Sequence, residues 1–89
     1  MNVLKYTSQF KKDLKRYKNR TEILEKLEVI LSLLAQGLPI PEGNRPRHLT
    51  GNYKNFMECH VENDTLLIWY DKDKGIIKLV RFGTHSELF

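Results

Sequence analysis

The run Thr65-Leu66-Leu67-Ile68-Trp69-Tyr70 constrains this chain more than any other stretch. It is apolar without a break. Turn residues bound it, Glu62-Asn63-Asp64 before and Asp71-Lys72-Asp73-Lys74-Gly75 after. A strand with no polar face has no side to offer to water, so it belongs inside a sheet, covered on both faces. Both bounding links are of hairpin size, which makes the flanking runs its antiparallel neighbours. Asn55 to Val61 alternates Phe56, Glu58 and His60 with Met57, Cys59 and Val61, and Ile76 to Phe82 supplies the third strand.

The cover for this sheet lies earlier in the chain. Asn2 to Tyr6 reads as a first strand. Thr7 or Ser8 can cap a helix, and Phe10, Leu14 and Tyr17 recur at i, i+4 and i+7 on one helical face. Asn19 with Glu22 resembles a capping box. The helix that follows carries a wide apolar stripe, Ile23, Leu24, Leu27, Ile30, Leu31 and Leu34. Gly37 supplies the left-handed position that ends it, and Pro39 forbids continuation. Residues 37–54 hold all three prolines and form a long loop. The order β-α-α-β-β-β predicts an α+β fold, with two N-terminal helices on one face of a small, mainly antiparallel sheet. The opposite face has no helix to cover it.

Eighty-nine residues make one domain, 1–89. No apolar stretch approaches the ~20 residues of a membrane span, and Met1 to Lys5 lacks the apolar core of a signal peptide. We expect a cytoplasmic protein without membrane partners. The single cysteine, Cys59, cannot form an internal disulfide and sits in an apolar strand, where a buried, inert thiol is expected. Charge is uneven. Residues 1–20 hold seven lysines and arginines against one acid, Asp13, whereas residues 21–44 are net acidic. Lys11, Lys12, Lys15, Arg16 and Lys18 crowd the first helix. They are either a solvated face or a contact for an anionic partner, nucleic acid or an acidic protein segment.

Polar groups collect where the strands end. His60 closes one strand, Asp64 precedes the next, Arg81 ends the last, and His85 and Phe89 follow in the tail Gly83-Thr84-His85-Ser86-Glu87-Leu88-Phe89. A meander can bring these into one cleft on the uncovered face. The set suits RNA strand scission. A base takes the 2′-OH proton, the 2′-oxygen attacks phosphorus, an acid protonates the 5′-oxygen, and a cation stabilises the phosphorane. Imidazoles titrate near neutrality, a guanidinium forks onto phosphate oxygens, and Phe89 can stack on a base. Each histidine alone also has a structural reading, His60 as a satisfied core residue. The histidines and Asp64 lack H-x-x-x-H or H-E-x-x-H spacing, and Arg81 would repel a cation, so no metal or other cofactor is expected.

Two strings carry a resemblance. Glu58-Cys59-His60 continues through Asp64 to Leu66, Leu67 and Tyr70, and the tail reads Gly83-Thr84-His85-Ser86-Glu87-Leu88-Phe89. In both, and along its whole length, the chain resembles the YafQ branch of the RelE/ParE superfamily, toxins of type II toxin–antitoxin modules. The resemblance implies a RelE-like microbial RNase fold and a metal-independent endoribonuclease that cuts mRNA in the ribosomal A site and is neutralised by a cognate antitoxin. It implies His60 and His85 as the acid–base pair, Asp64 as the carboxylate, Arg81 on phosphate and Phe89 as the C-terminal aromatic. Arg47, His48 and Lys54 are further RNA-binding candidates. The basic helix would meet ribosomal RNA, on the far side of the sheet from the cleft.

The chain departs from the family pattern at three positions. Arg47 occupies the slot of the usual loop histidine and His48 is shifted by one, so either Arg47 replaces that histidine or the loop bulges to return His48. Met57 stands where an arginine is usual, and Thr65 where an aromatic is common. A rival reading is therefore a toxin-like fold that has lost catalysis and only binds its partners.

Overall fold

The computed structural model describes residues 1–50, 55–73 and 75–89. β1 (Val3–Tyr6), α1 (Ser8–Arg16), α2 (Thr21–Gln36), β2 (Arg47–His48), β3 (Phe56–His60), β4 (Thr65–Asp73), β5 (Ile76–Thr84) and α3 (His85–Leu88) follow in chain order, with a single 3-10 turn at Glu42–Asn44 between α2 and β2. The sheet order is β1-β5-β4-β3-β2. β2 through β5 pair antiparallel, while β1 lies parallel to β5, Val3 opposite Ile76 and Tyr6 opposite Leu79.

The apolar run is central, as its composition requires. Leu66, Leu67, Ile68 and Trp69 are all buried. Leu67 and Trp69 face the helices, in one core with Phe10 of α1, Tyr17 at its C-cap, the α2 stripe, Leu79 and Phe82. Burying each such side chain contributes about 1.5–3 kcal/mol. Leu66 and Ile68 point to the opposite face, outside that helix-side core. Both long helices pack on one face, so the expected α+β layering holds.

Local signals explain the helix ends, with one correction. Thr7 caps α1, its hydroxyl accepting from the Phe10 N–H at 3.2 Å. Gly37 ends α2 in the left-handed region, φ 71°, and the Leu38 N–H returns to the Leu33 carbonyl at 2.9 Å. The Asn19–Glu22 capping box does not form. α2 begins at Thr21 with Arg20 at the cap and no side-chain bond there. The Arg20 N–H instead reaches the Tyr17 carbonyl at 2.8 Å, in the tight turn that joins the two helices.

Strand boundaries shift for traceable reasons. Asn2 is not in β1; its side-chain amide donates to the Leu34 carbonyl at 2.8 Å and helps close the end of α2. β4 runs on to Asp73, which shortens its hairpin with β5. The long loop contains the short β2. β5 continues past the expected end at Phe82, through Gly83 to Thr84. The tail is a helical turn, α3, closed by a full capping box between Thr84 and Glu87.

Candidate functional site

Register builds the site. Residues opposite one another on neighbouring strands share a face of the sheet. On the face away from the helices, Arg47, Glu58, Ile68 and Arg81 form one row across β2, β3, β4 and β5. His60, Leu66 and Gly83 form the next row toward the sheet's end. α3 starts two residues past Gly83. Arg47, His60 and Arg81 thus occupy adjacent rows on one face, with the His85–Phe89 turn at their end.

Strand parity sends the two loop candidates to opposite faces of the sheet. Arg47 pairs with Glu58 and shares its face, whereas His48 pairs with Met57 on the helix side. His48 lines a cleft of about 510 Å³ with Leu38, Ile40, Pro46 and Trp69, away from His60. No bulge returns it. Of the expected RNA contacts, Lys54 lies outside the described residues.

Both arginines are held by carboxylates that composition alone did not single out. Arg47 Nε donates to Glu58 Oε2 at 2.6 Å. Glu58 is 1% exposed, and its other oxygen, Oε1, is buried without a hydrogen-bond partner. Arg81 Nε donates to Asp13 Oδ2 at 2.9 Å. Asp13 is fully buried on α1, and its Oδ2 also accepts from the Phe82 N–H at 2.9 Å. It satisfies the edge of β5 beyond the point where β1 stops. Burial alone would raise the Asp13 pKa, but the bonds from Arg81, Phe82 and Gln9 overcome it and hold the carboxyl below its usual range. Arg81 is raised in turn, first by its bond to Asp13.

His60 Nδ1 lies 3.1 Å from the Asn63 carbonyl, and its own carbonyl accepts from Asn44 Nδ2 at 2.8 Å. Asp64 is exposed, and its carbonyl accepts from the His85 N–H at 3.2 Å. The two residues line different clefts at the β3–β4 turn. His60 shares one with Gly43, Asn44 and Arg45, and Asp64 shares the other with Tyr17, Arg20, Lys26 and Thr84. Glu62 and Asn63 line both, so the two clefts adjoin at one end of the sheet. The His85 and Phe89 rings lie 5.1 Å apart at 41°, and Phe89 is 55% exposed.

The basic helix is closer to the site than expected. Lys11, Lys12, Lys15, Arg16 and Lys18 are exposed, but α1 packs beside β5, and Arg16 Nη1 lies 3.9 Å from Glu87 Oε2 in α3. Tyr17 donates to Glu87 Oε1 at 2.6 Å. Glu87 was legible only as part of the tail string, although Thr84-x-x-Glu87 is itself a capping-box signature. Cys59 is buried, and its thiol is pushed up to about 12 by burial and then by the charge of Glu58. That environment suppresses the nucleophilic thiolate.

The likenesses to known proteins agree with this geometry. A family described as bacterial toxins of type II toxin–antitoxin systems, YafQ, matches residues 2–89. The mRNA interferase toxin YafQ of Escherichia coli strain K12 is 34% identical over 87 residues, covering 97% of this chain and 94% of that protein. In the E. coli DinJ–YafQ complex, the similar chain superposes with a TM-score of 0.88 at 32% identity, covering 100% of this chain and 99% of that one. A metal-bound toxin from Helicobacter pylori gives 0.89 at 34% identity, with both chains fully covered. Fold and site together define a small toxin of the RelE-like α+β class. The chain belongs to the YafQ family of type II toxin–antitoxin systems.

Proposed function

We infer that this toxin is a ribosome-dependent endoribonuclease that cuts mRNA in the A site and so stops translation. The observation that carries the reading is the register. It puts His60 and Arg81 in adjacent rows of the face away from α1 and α2, with the exposed His85–Phe89 pair at their end. His85 and His60 serve as the acid–base pair, with Asp64 supporting the charge of the cluster. Arg81, oriented by Asp13, stabilises the phosphorane with its remaining donor capacity. Phe89 offers its face to a base. Arg47 takes the phosphate-binding place in the loop.

This chemistry moves protons between side chains and phosphate and calls on no metal. The lysines of α1 supply salt-dependent phosphate contacts to ribosomal RNA. A cognate antitoxin is the protein partner, as DinJ is in the E. coli complex. An acidic and apolar segment that orders on binding suits the +4 charge.

The rival, a module without catalysis, draws support from the same structure, because both Arg47 and Arg81 are already paired with carboxylates. Primer extension on a translated mRNA, with and without ribosomes, separates the two. A new 5′ end that needs both ribosomes and protein is expected. Binding without any new end would leave the inactive module.

A further inference from the structure

We propose that Tyr17 and Glu87 are a positioning pair that holds α3, and with it the His85 imidazole and the Phe89 ring, in place over the scissile phosphate. The proposal rests on the reading of His85 as a proton-transfer group in RNA cleavage.

α3 spans His85–Leu88, four residues. A single helical turn does not hold itself in water, so its position must come from its anchors. Inside the turn, Thr84 and Glu87 close the capping box and the Phe89 N–H returns to the His85 carbonyl at 2.9 Å. To the β3–β4 turn it is tied by the His85 N–H on the Asp64 carbonyl, at 3.2 Å. To the C-cap of α1 it is tied by Glu87. One oxygen, Oε1, accepts from the Tyr17 hydroxyl at 2.6 Å and from the Thr84 N–H at 2.7 Å. An O–H donor on a carboxylate at that distance is among the stronger hydrogen bonds a protein makes.

Tyr17 is a fixed reference point. It is 5% exposed, and its ring lies 4.9 Å from that of Phe82 on β5. Position passes from the core to Tyr17, from its hydroxyl to Glu87, and from Glu87 to the turn that presents His85 and Phe89. The strand leaves room for this carboxylate, since a Cβ at Gly83 would stand 2.7 Å from Glu87 Oε1. A cap alone would need the Thr84 N–H and nothing from α1. Displacing a reacting group by about 1 Å can cost on the order of 10²-fold in rate.

The test is Tyr17→Phe, which removes the hydroxyl and keeps the ring against Phe82. Single-turnover cleavage of ribosome-bound mRNA is compared for the parent, Tyr17→Phe, Glu87→Ala and the double variant, alongside imidazole NMR titrations of the free protein. We expect the cleavage rate constant to fall by about 10-fold, within the range a small misplacement allows, with KM little changed. We expect the His85 and Phe89 resonances to move while those of His60 stay. The double variant should be no slower than Glu87→Ala alone, because both remove one link. If folded Tyr17→Phe cuts at the parent rate, or loses activity only through KM, the proposal is overturned. Unmoved His85 and Phe89 resonances overturn it equally. Should Tyr17→Phe fail to fold, Glu87→Ala carries the same readouts from an exposed residue. If the parent itself cuts nothing, the functional reading fails, and the resonances alone decide whether the tether positions the turn.

Discussion

The Asp13 carboxylate and the Arg81 guanidinium meet across 68 residues of sequence, Nε donating to Oδ2 at 2.9 Å and Nη2 to Oδ1 at 3.4 Å. The pair is asymmetric. Asp13 is fully buried, while the Arg81 side chain keeps 28% of its exposure. Arg81→Ala strands a buried carboxylate without its cation, and we expect it to cost about 3–5 kcal/mol of stability. Asp13→Ala leaves a guanidinium that can rehydrate and one unsatisfied N–H, at Phe82, for a smaller loss of about 1–3 kcal/mol. Urea melts of the two variants check the order. Equal losses, or a larger one for Asp13→Ala, would show that the pair is not buried in this sense. Arg81→Lys is therefore the cleaner probe of catalysis, since it keeps the charge.

The same bonds set how stability responds to pH. Asp13 and Glu87 are held below their ordinary values of 3.8 and 4.5, Glu87 chiefly by the Tyr17 hydroxyl and the Thr84 N–H. The unfolded chain then binds protons more readily than the native one. Their contribution is present above the ordinary values and is lost as pH falls through the depressed native ones. Tyr17 runs the other way. Burial, then the Glu87 carboxylate, push its hydroxyl from 10.0 up to about 12. Its contribution is present below pH 10 and disappears as pH rises toward 12. Thermal melts across pH should fall at both ends, and Tyr17→Phe should remove part of the alkaline fall and, because the same hydroxyl holds Glu87 low, part of the acid fall as well. An unchanged alkaline limb in that variant would count against the assignment.

Strand parity makes a sharp claim about the loop. Arg47 shares the row of Glu58 and Arg81, and His48 faces the other way. Losing a charge-assisted phosphate contact costs about 1.5–3 kcal/mol, or roughly 10- to 100-fold in cleavage. We expect that loss for Arg47→Ala and close to none for His48→Ala, both measured as single-turnover rates on ribosomes. Because Arg47→Ala also strands the buried Glu58 carboxylate and should melt lower, the rates are compared at a temperature where each variant is folded. A large loss for His48→Ala with Arg47→Ala intact would reverse the assignment.

Much of this molecule was readable from local pattern. The unbroken run at Thr65–Tyr70 demanded a central strand, the α2 stripe demanded a core-facing helix, and Gly37 marked its end. What was not readable depends on partners far away in sequence. Asp13 looks like a stray acid on a basic helix until β5 brings Arg81 beside it. β2 has two residues, too few for any periodicity, and exists only through its register with Glu58 and Met57. Once that strand is admitted, alternation alone sends Arg47 and His48 to opposite faces. The tail was legible in kind but not in form. Its histidine and aromatic stand out in the string, while the helical turn that carries them depends on Glu87 folding back onto Thr84. Asp64 and His60, four residues apart, flank the β3–β4 turn, where Glu62 and Asn63 line the clefts on both sides.

His85 is the residue on which the functional reading stands. It opens α3, is exposed, and packs its ring against Phe89 at 5.1 Å. Neither its side chain nor its burial contributes to the core, so replacing it should leave the fold intact. Proton transfer by a positioned side chain is worth on the order of 10²–10⁴ in rate. His85→Ala should lower single-turnover cleavage by about that factor and abolish growth arrest, while antitoxin binding and the melting curve stay as in the parent. His85→Gln separates the two things an imidazole does there, because an amide can hold a hydrogen bond but cannot exchange a proton near neutrality. If Gln is as slow as Ala, the role is proton transfer. If Gln restores the rate, His85 holds the substrate and the proton moves elsewhere, to His60. His85→Ala protein that cuts at close to the parent rate would remove His85 from the chemistry and leave the tail as an RNA contact through Phe89.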